Sequence, residues 1–245
     1  MNRSTAVTII WPRRTTGLAN LWRAVCGMCA LVAVVGGCAK SAIPLRGVPT
    51  SEALPPTALA PRPQQMRFTW SYRDETFEAN GDGVVRVQAP DRARLDFFLR
   101  NGMAGGYAIL IGDSLTVPGI DLVRRFLPPV PLLWATLGRV ALPPTRDTVA
   151  RRDGDTLRAD LGDLRGGDAS KAIGRAWRLA LTGRDLVRVD RIEQGKVVEW
   201  VTRSRGATGH WELRYVHERA KRGLRIVVTD TLTVEGFDDA IWRRP

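Results

Sequence analysis

Histidine and cysteine are scarce in this chain. Of 245 residues, two are histidine and three are cysteine. His210 and His217 lie seven apart on one predicted strand, an odd spacing that points them to opposite faces. They cannot form a local metal pair, and the sequence calls for no metal and no cofactor. Cys26 and Cys29 fall inside an apolar N-terminal run, so beyond that run Cys38 stands alone and no disulfide can form. No Lys/Arg block with interleaved aromatics appears, which argues against a nucleic-acid partner. The acidic residues gather in turns, such as Asp153/Asp155 and Asp238/Asp239. Carboxylates there are solvated and lack the apolar setting that would make one a general acid.

What the chain does have is a basic, apolar start. Arg3, Arg13, Arg14 and Arg23 precede "AVCGMCALVAVVGG" (Ala24 to Gly37), a run of 14 residues followed by Cys38. A spanning helix needs about 20, so the pattern is that of an export signal. Val35, Gly36 and Gly37 before Cys38 resemble a bacterial lipobox, which implies cleavage after residue 37 and lipid on the Cys38 thiol. Ala39 rather than Asp in the next position implies the outer membrane, with the protein on its periplasmic face. Without the first 37 residues the formal charge falls from +12 to +8, and a basic surface is suited to anionic lipid.

Residues 38–65 are rich in proline and have no helical or strand period, so an extended tether is expected there. From Met66 to the end, period-two alternation dominates. Its rows are Phe68/Trp70/Tyr72, Leu95/Phe97/Leu99, Tyr107/Ile109/Ile111, Trp177/Leu179/Leu181, Trp211/Leu213/Tyr215 and Leu224/Ile226/Val228. Between them come turn signals: "NGDG" at Asn80, "GDS" at Gly112, "DGD" at Asp153, "GRD" at Gly183 and "QGK" at Gln194. Pro118 to Pro144 breaks the pattern with two short amphipathic helices, around Leu122–Leu127 and Leu133–Leu137, separated by prolines. Gly162 to Gly174 is a Gly-rich loop or a small helix. The expected fold is mainly β (α+β): one large curved antiparallel sheet, a half-open barrel over 66–245, whose apolar face is covered by a few short helices.

"AILIGDSLTVPG" (Ala108 to Gly119) resembles the nucleophile block of the GDSL serine esterases. That family is α/β, opens on this block and carries an Asp-x-x-His pair near its C-terminus. Here the block follows several strands, neither histidine has Asp three residues before it, and no Gly-x-Asn-Asp block supplies oxyanion donors. Ser114 is therefore read as part of a turn, and the protein as not an enzyme.

Two segments, "RLDFFLRNGMAGGYAILIGDSLTV" (Arg94 to Val117) and "PVPLLWATLGRVALP" (Pro129 to Pro143), resemble the LolA/LolB family of lipoprotein carriers, nearest its outer-membrane receptor branch, LolB. The resemblance implies a cavity for acyl chains, with Trp70, Leu95, Phe97, Ile109, Trp134 and Trp177 as its lining. It implies also a hydrophobic residue projecting from a turn to enter the membrane, here Met103. The partners so implied are membrane lipid through Cys38, lipoprotein acyl chains and a periplasmic carrier, with the protein a monomer. A dry, filled β core is the other reading of the same rows, and it would fit a non-catalytic binding or scaffold lipoprotein.

Cys38→Ala is expected to leave the chain unprocessed or soluble. Metabolic labelling with palmitate checks this: the wild type should take up label and the variant none.

Overall fold

The computed structural model describes residues 42–100, 105–118, 121–142, 145, 147–162, 164, 169–171 and 174–243. The stretch that resembles a lipobox, Cys38 and Met103 lie outside the described residues. Ala39–Pro245 forms one compact unit.

Thirteen strands make one antiparallel sheet. In chain order they are β1 (Val48–Thr50), β2 (Gln64–Arg73), β3 (Glu78–Gln88), β4 (Arg92–Leu99), β5 (Gly106–Ile111) and β6 (Ser114–Thr116), then β7 (Asp147–Asp153) and β8 (Thr156–Gly162). The last five are β9 (Arg175–Thr182), β10 (Asp185–Glu193), β11 (Lys196–Arg205), β12 (Trp211–His217) and β13 (Arg222–Thr233). The spatial order is β1-β7-β8-β9-β10-β11-β12-β13-β2-β3-β4-β5-β6, curved and unclosed. The β1–β2 and β6–β7 connections depart from a simple meander and bring β1 beside β7 and β13 beside β2.

Two-residue turns at Gly112-Asp113, Gly154-Asp155, Gly183-Arg184 and Gln194-Gly195 join successive strands. Gln194 and Gly195 both have positive φ, at 51° and 69°, as hairpins of this handedness require. "NGDG" is different. It was expected to be a turn, but Asn80 to Gly83 lies inside β3. Its glycines make room for aromatics on the neighbouring strand: Gly81 pairs with Trp70 and Gly83 with Phe68. A Cβ on Gly83 would stand 2.2 Å from the Phe68 ring, and one on Gly81 1.8 Å from the Phe98 carbonyl oxygen. The turn proper is at Asp74, whose carboxylate accepts from the backbone N–H of Thr76 and Phe77, both at 2.9 Å.

The inner face carries the core. Cross-strand register puts Tyr72, Trp70 and Phe68 in line with Leu224, Ile226 and Val228, and puts Phe97 and Leu95 beside Gly83 and Val85. Two helices cover this face, α1 (Asp121–Phe126) and α2 (Val130–Thr136). Pro128 and Pro129 separate them, and Pro131 sits in the first turn of α2, where no N–H partner is needed. Leu132, Leu133 and Trp134 of α2 are buried, and the Trp134 indole donates to the Gly112 carbonyl at 2.8 Å. Gly138, at φ 89°, ends the helix.

The row Tyr107/Ile109/Ile111 corrects the sequence reading. Leu95 pairs with Ala108 and Ala93 with Leu110, so Ala108 and Leu110 face the core and Ile109, opposite Arg94, lies on the outer face. β5 is apolar on both sides, and only register with β4 decides which side turns inward. The outer row runs beside a C-terminal 3-10 turn (Asp239–Trp242): Arg94 stacks on Tyr107 at 4.3 Å and donates to the Ile241 carbonyl at 2.9 Å.

The proline-rich stretch read as a tether is, from Ala42 on, part of the domain. The Ala42 N–H donates to the Gly195 carbonyl at 2.8 Å, Val48–Thr50 pairs with β7, and Leu59 is buried in the main core. Prolines tolerate such an extended path because it needs few ladder bonds, and the leucines between them do the burying. Ala42 belongs to a second small cluster on the outer face, with Leu164, Ala169, Ala176 and Ile192.

Gly83→Ala is expected to lower stability by about 2 kcal/mol, within the usual range for overpacking. Gly174→Ala, whose Cβ would meet nothing within 4 Å, should be neutral. Urea unfolding of both variants checks the contrast.

Candidate functional site

Five of the six proposed lining residues share one core: Trp70, Leu95, Phe97, Trp134 and Trp177. Ile109 does not join them, for the reason of register given above. At the centre of the core is a tight aromatic group built from β2, β4 and α1. Phe126, the last residue of α1, stacks on Trp70 at 5.0 Å and lies 5.0 Å from Tyr72 and 6.0 Å from Phe97. Phe97 in turn meets Trp70 and Phe68 edge-on, at 5.5 and 5.7 Å. The Trp70 indole donates to the Asp82 carbonyl, so its polar edge is satisfied.

Two spaces adjoin this group. The first is an internal cavity of about 30 Å³ at the seam between α2 and the sheet, lined by Phe68, Leu95, Leu137, Leu213, Ile226 and Arg203 among others. It has room for about one water. The second is a groove of about 460 Å³ where α1 meets the sheet edge, with Phe77, Ala79, Leu99 and Leu122 apolar and Glu78, Asn80 and Arg100 polar. Phe77 connects it to the aromatic group through Tyr72, at 6.3 Å. The groove is of ligand-pocket size; the cavity is not.

Beside the buried Phe126, a polar clasp ties the end of α1 to the turn after β2. Arg125 makes a two-pronged ion pair with Asp74, at 2.7 and 2.9 Å, and its guanidinium also donates to Thr76 Oγ1. The Tyr72 hydroxyl donates to the same carboxylate at 2.7 Å. Arg125, followed by the Thr76 backbone N–H, holds the Asp74 carboxyl well below the usual carboxylate range. Burial, then the bond to Asp74, pushes the Tyr72 hydroxyl up.

Polar groups that the sequence reading passed over also face inward. Arg203 lines the seam cavity. Its Nε has no hydrogen-bond partner among the described residues, one terminal nitrogen reaches the Leu186 carbonyl at 3.4 Å, and the guanidinium stacks on Trp211 at 4.2 Å. Burial lowers its pKa to about 10. Farther along, Glu199 is buried; Arg191 donates to its carboxylate at 3.0 Å, and His217 Nε2 lies 3.0 Å from the same oxygen. His217 Nδ1 accepts from the Ala220 N–H, so Nε2 carries the proton toward Glu199. Desolvation raises the Glu199 carboxyl, lowers the His217 imidazole and pushes the Tyr215 hydroxyl up to about 12. The signal was in the β11 pattern: the inward row reads Glu199, Val201, Arg203, which an apolar-row search skips.

This histidine does not serve Ser114. Ser114 is exposed and begins β6 after the Gly112-Asp113 turn, separated from β12 by five intervening strands and at the opposite rim of the sheet from His217. His210 is exposed in the β11–β12 turn. Neither offers a base to the serine, and the "GDS" stretch is a hairpin turn. Among the described residues no helix is long and apolar enough to cross a membrane, and no group of three or more His, Cys, Asp or Glu could hold a metal.

No protein-family model matches the chain, and no curated protein does. Among solved structures, similar ones include a LolA superfamily protein from Nitrosomonas europaea, at 8% identity and TM-score 0.49, covering 76% of this chain and 92% of that one. A DUF1329 family protein from Desulfovibrio piger has 8% identity and TM-score 0.45, over 74% and 90% of the two chains. A domain described as outer membrane lipoprotein-sorting, from Vibrio parahaemolyticus, has 6% identity and TM-score 0.38, over 76% and 91%. With identities and scores this low, function has to be read from the residues themselves.

Proposed function

We propose that the protein is a lipid-anchored, non-catalytic envelope protein that takes an acyl chain between its sheet and its helical cover. The observation that carries this reading is the groove of about 460 Å³ beside α1, whose apolar wall of Phe77, Ala79, Leu99 and Leu122 leads to the aromatic group beneath Phe126. A chain entering there displaces α1 rather than filling a preformed tunnel. Each methylene that leaves water is worth about 0.8 kcal/mol, so a partly open groove holds an acyl chain firmly enough to carry it and weakly enough to release it to a bilayer. Anchoring through Cys38 at the periplasmic face of the outer membrane, and a LolB-like role in receiving lipoproteins with Met103 entering the bilayer, belong to the same proposal.

A second reading rests on the seam cavity. Its 30 Å³ is a filled core by any ligand's measure, which favours a binding or scaffold lipoprotein that presents its surface to a partner. A fluorescent fatty acid separates the two. Wild type should bind it, and Leu122→Glu should weaken binding at least tenfold with unchanged circular dichroism. A folded wild type without affinity for any acyl probe selects the scaffold reading.

The clasp adds a pH dependence. The folded-state pKa of Asp74 lies below its ordinary value of 3.8, so its contribution is complete above that value and is lost as the pH falls through it toward the folded value. Hydrogen exchange in α1 should therefore be flat with pH, after correction for intrinsic rates, down to about pH 4 and rise below. In Asp74→Asn it should be raised several-fold at neutral pH, and the acyl probe should enter faster. Equal α1 protection in variant and wild type would mean that the clasp does not hold the cover.

A further inference from the structure

Antiparallel pairing sends alternate turns to opposite rims of the sheet. One rim carries the turns after β2, β4, β8, β10 and β12, together with Ala42 and the mouth of the α1 groove. Ala42 is fixed there. Its N–H donates to the Gly195 carbonyl, its side chain is buried, and Arg178 donates to the carbonyl of Ile43. Arg178 is itself locked to the buried Asp160 at 2.6 and 2.8 Å. The described part of the domain therefore begins on the outer face at this rim.

Only residues 39–41 separate Ala42 from Cys38. At most about 3.6 Å per residue, an acyl group on Cys38 cannot be more than about 15 Å of chain from Ala42. The surface round Ala42 is basic. Lys171, Arg175, Lys196 and Arg219 are all exposed. They are gathered by the contacts of the β10–β11 turn: Gln194 N–H donates to the Gly174 carbonyl, and Gly195 sits so close to Ser170 that a Cβ would lie 2.3 Å from its carbonyl oxygen. Arg175 and Arg219 flank a depression of about 280 Å³ and both approach Glu193, each at 3.7 Å. Glu193 is also met by Arg191 at 3.3 Å, so one carboxylate serves three guanidinium groups. Glu218, next to Arg219, is occupied by the Trp200 indole at 2.8 Å. Ile43 stands 61% exposed beside this patch.

We infer that this rim lies on the anionic surface of the bilayer, with Lys171, Arg175, Lys196 and Arg219 against lipid headgroups, so that the α1 groove opens toward the membrane rather than away from it. The inference rests on the proposed anchor at Cys38 for its geometry, and on the patch itself for its charge. Cations held within a Debye length of an anionic leaflet are attracted additively. A short leash makes that attraction effective, because it keeps the patch at the surface instead of letting the domain roam. The outer-face path of residues 42–46 then has a purpose: it brings the chain to the rim that holds the groove's mouth.

The test uses the full chain, processed and acylated, in vesicles of phosphatidylcholine with and without phosphatidylglycerol. Lys196→Cys, or Arg184→Cys at the opposite rim, carries a donor dye, and a headgroup-labelled lipid is the acceptor. Energy transfer should be at least threefold stronger from position 196 than from 184 in anionic vesicles. The difference should shrink in neutral vesicles, and in Lys171→Glu/Arg175→Glu/Arg219→Glu, whose circular dichroism serves as the folding control. Equal transfer from the two rims, or a difference untouched by lipid charge and by the triple reversal, overturns the inference. Mass spectrometry of Cys38 is read separately. If the thiol carries no lipid, the anchor proposal fails, and sedimentation of the unacylated chain with anionic vesicles then decides the patch: co-sedimentation abolished by the triple reversal supports it, and its absence refutes it.

Discussion

An unclosed sheet with one apolar face cannot stand in water alone, and the way that face is covered governs the rest of this structure. The cover is small: two helices of six and seven residues, too short to be stable by themselves. They persist because of what they insert. Phe126 fills the space between Trp70, Tyr72 and Phe97, and Trp134 is buried outright with its indole bonded to Gly112. Aromatic packing of this kind contributes area and orientation together. The glycines of β3 follow from it, since Gly81 and Gly83 are where the rings of Trp70 and Phe68 need the space of a side chain.

A cover so attached leaves one part of the interior closed and another open at the rim. Under α2 the core is filled, apart from the seam cavity at Arg203. Under α1 Val123 and Phe126 are buried as well, but beside Leu122 the groove stays open at the rim, and Arg125 ties the end of the helix there by an ion pair that is half exposed on its Arg125 side. Exposed ion pairs hold weakly, so both helices are held chiefly by burial, α1 through Phe126 and α2 through Trp134. A buried cation such as Arg203, incompletely bonded, is also out of keeping with a core chosen for stability alone.

The outer face has its own order. Asp160 and Asp190 are buried there and compensated by Arg178 and Arg188, with burial pushing the Asp190 carboxyl up against that compensation. These strands are thus polar on one side and aromatic on the other, and the polar side is the seat for residues 42–46. The N-terminal segment and the groove come to one rim because both are set by the same hairpin parity.

The amino-acid pattern by itself determined the antiparallel sheet, the pair of short helices broken by prolines, the turns at Gly112, Gly154, Gly183 and Gln194, and the inward rows on β2, β4, β9, β12 and β13. Each of these depends on local spacing or on a residue's own backbone preference, and such information survives in one dimension. Tertiary structure decided the rest. Whether Ala108 or Ile109 faces the core depends on register with β4, because β5 is apolar on both faces. "NGDG" looks like a turn until the rings opposite it are in place. Residues 42–63 look like a tether because prolines dominate the composition, yet the isolated leucines find a surface to bury against. The inward Glu199 and Arg203 went unseen because charge in an apolar row is tolerated only when partners from other strands, here His217, Arg191 and Trp211, meet it in space. Register, cross-strand space and remote partners are relations between distant segments, and no local stretch of sequence records them.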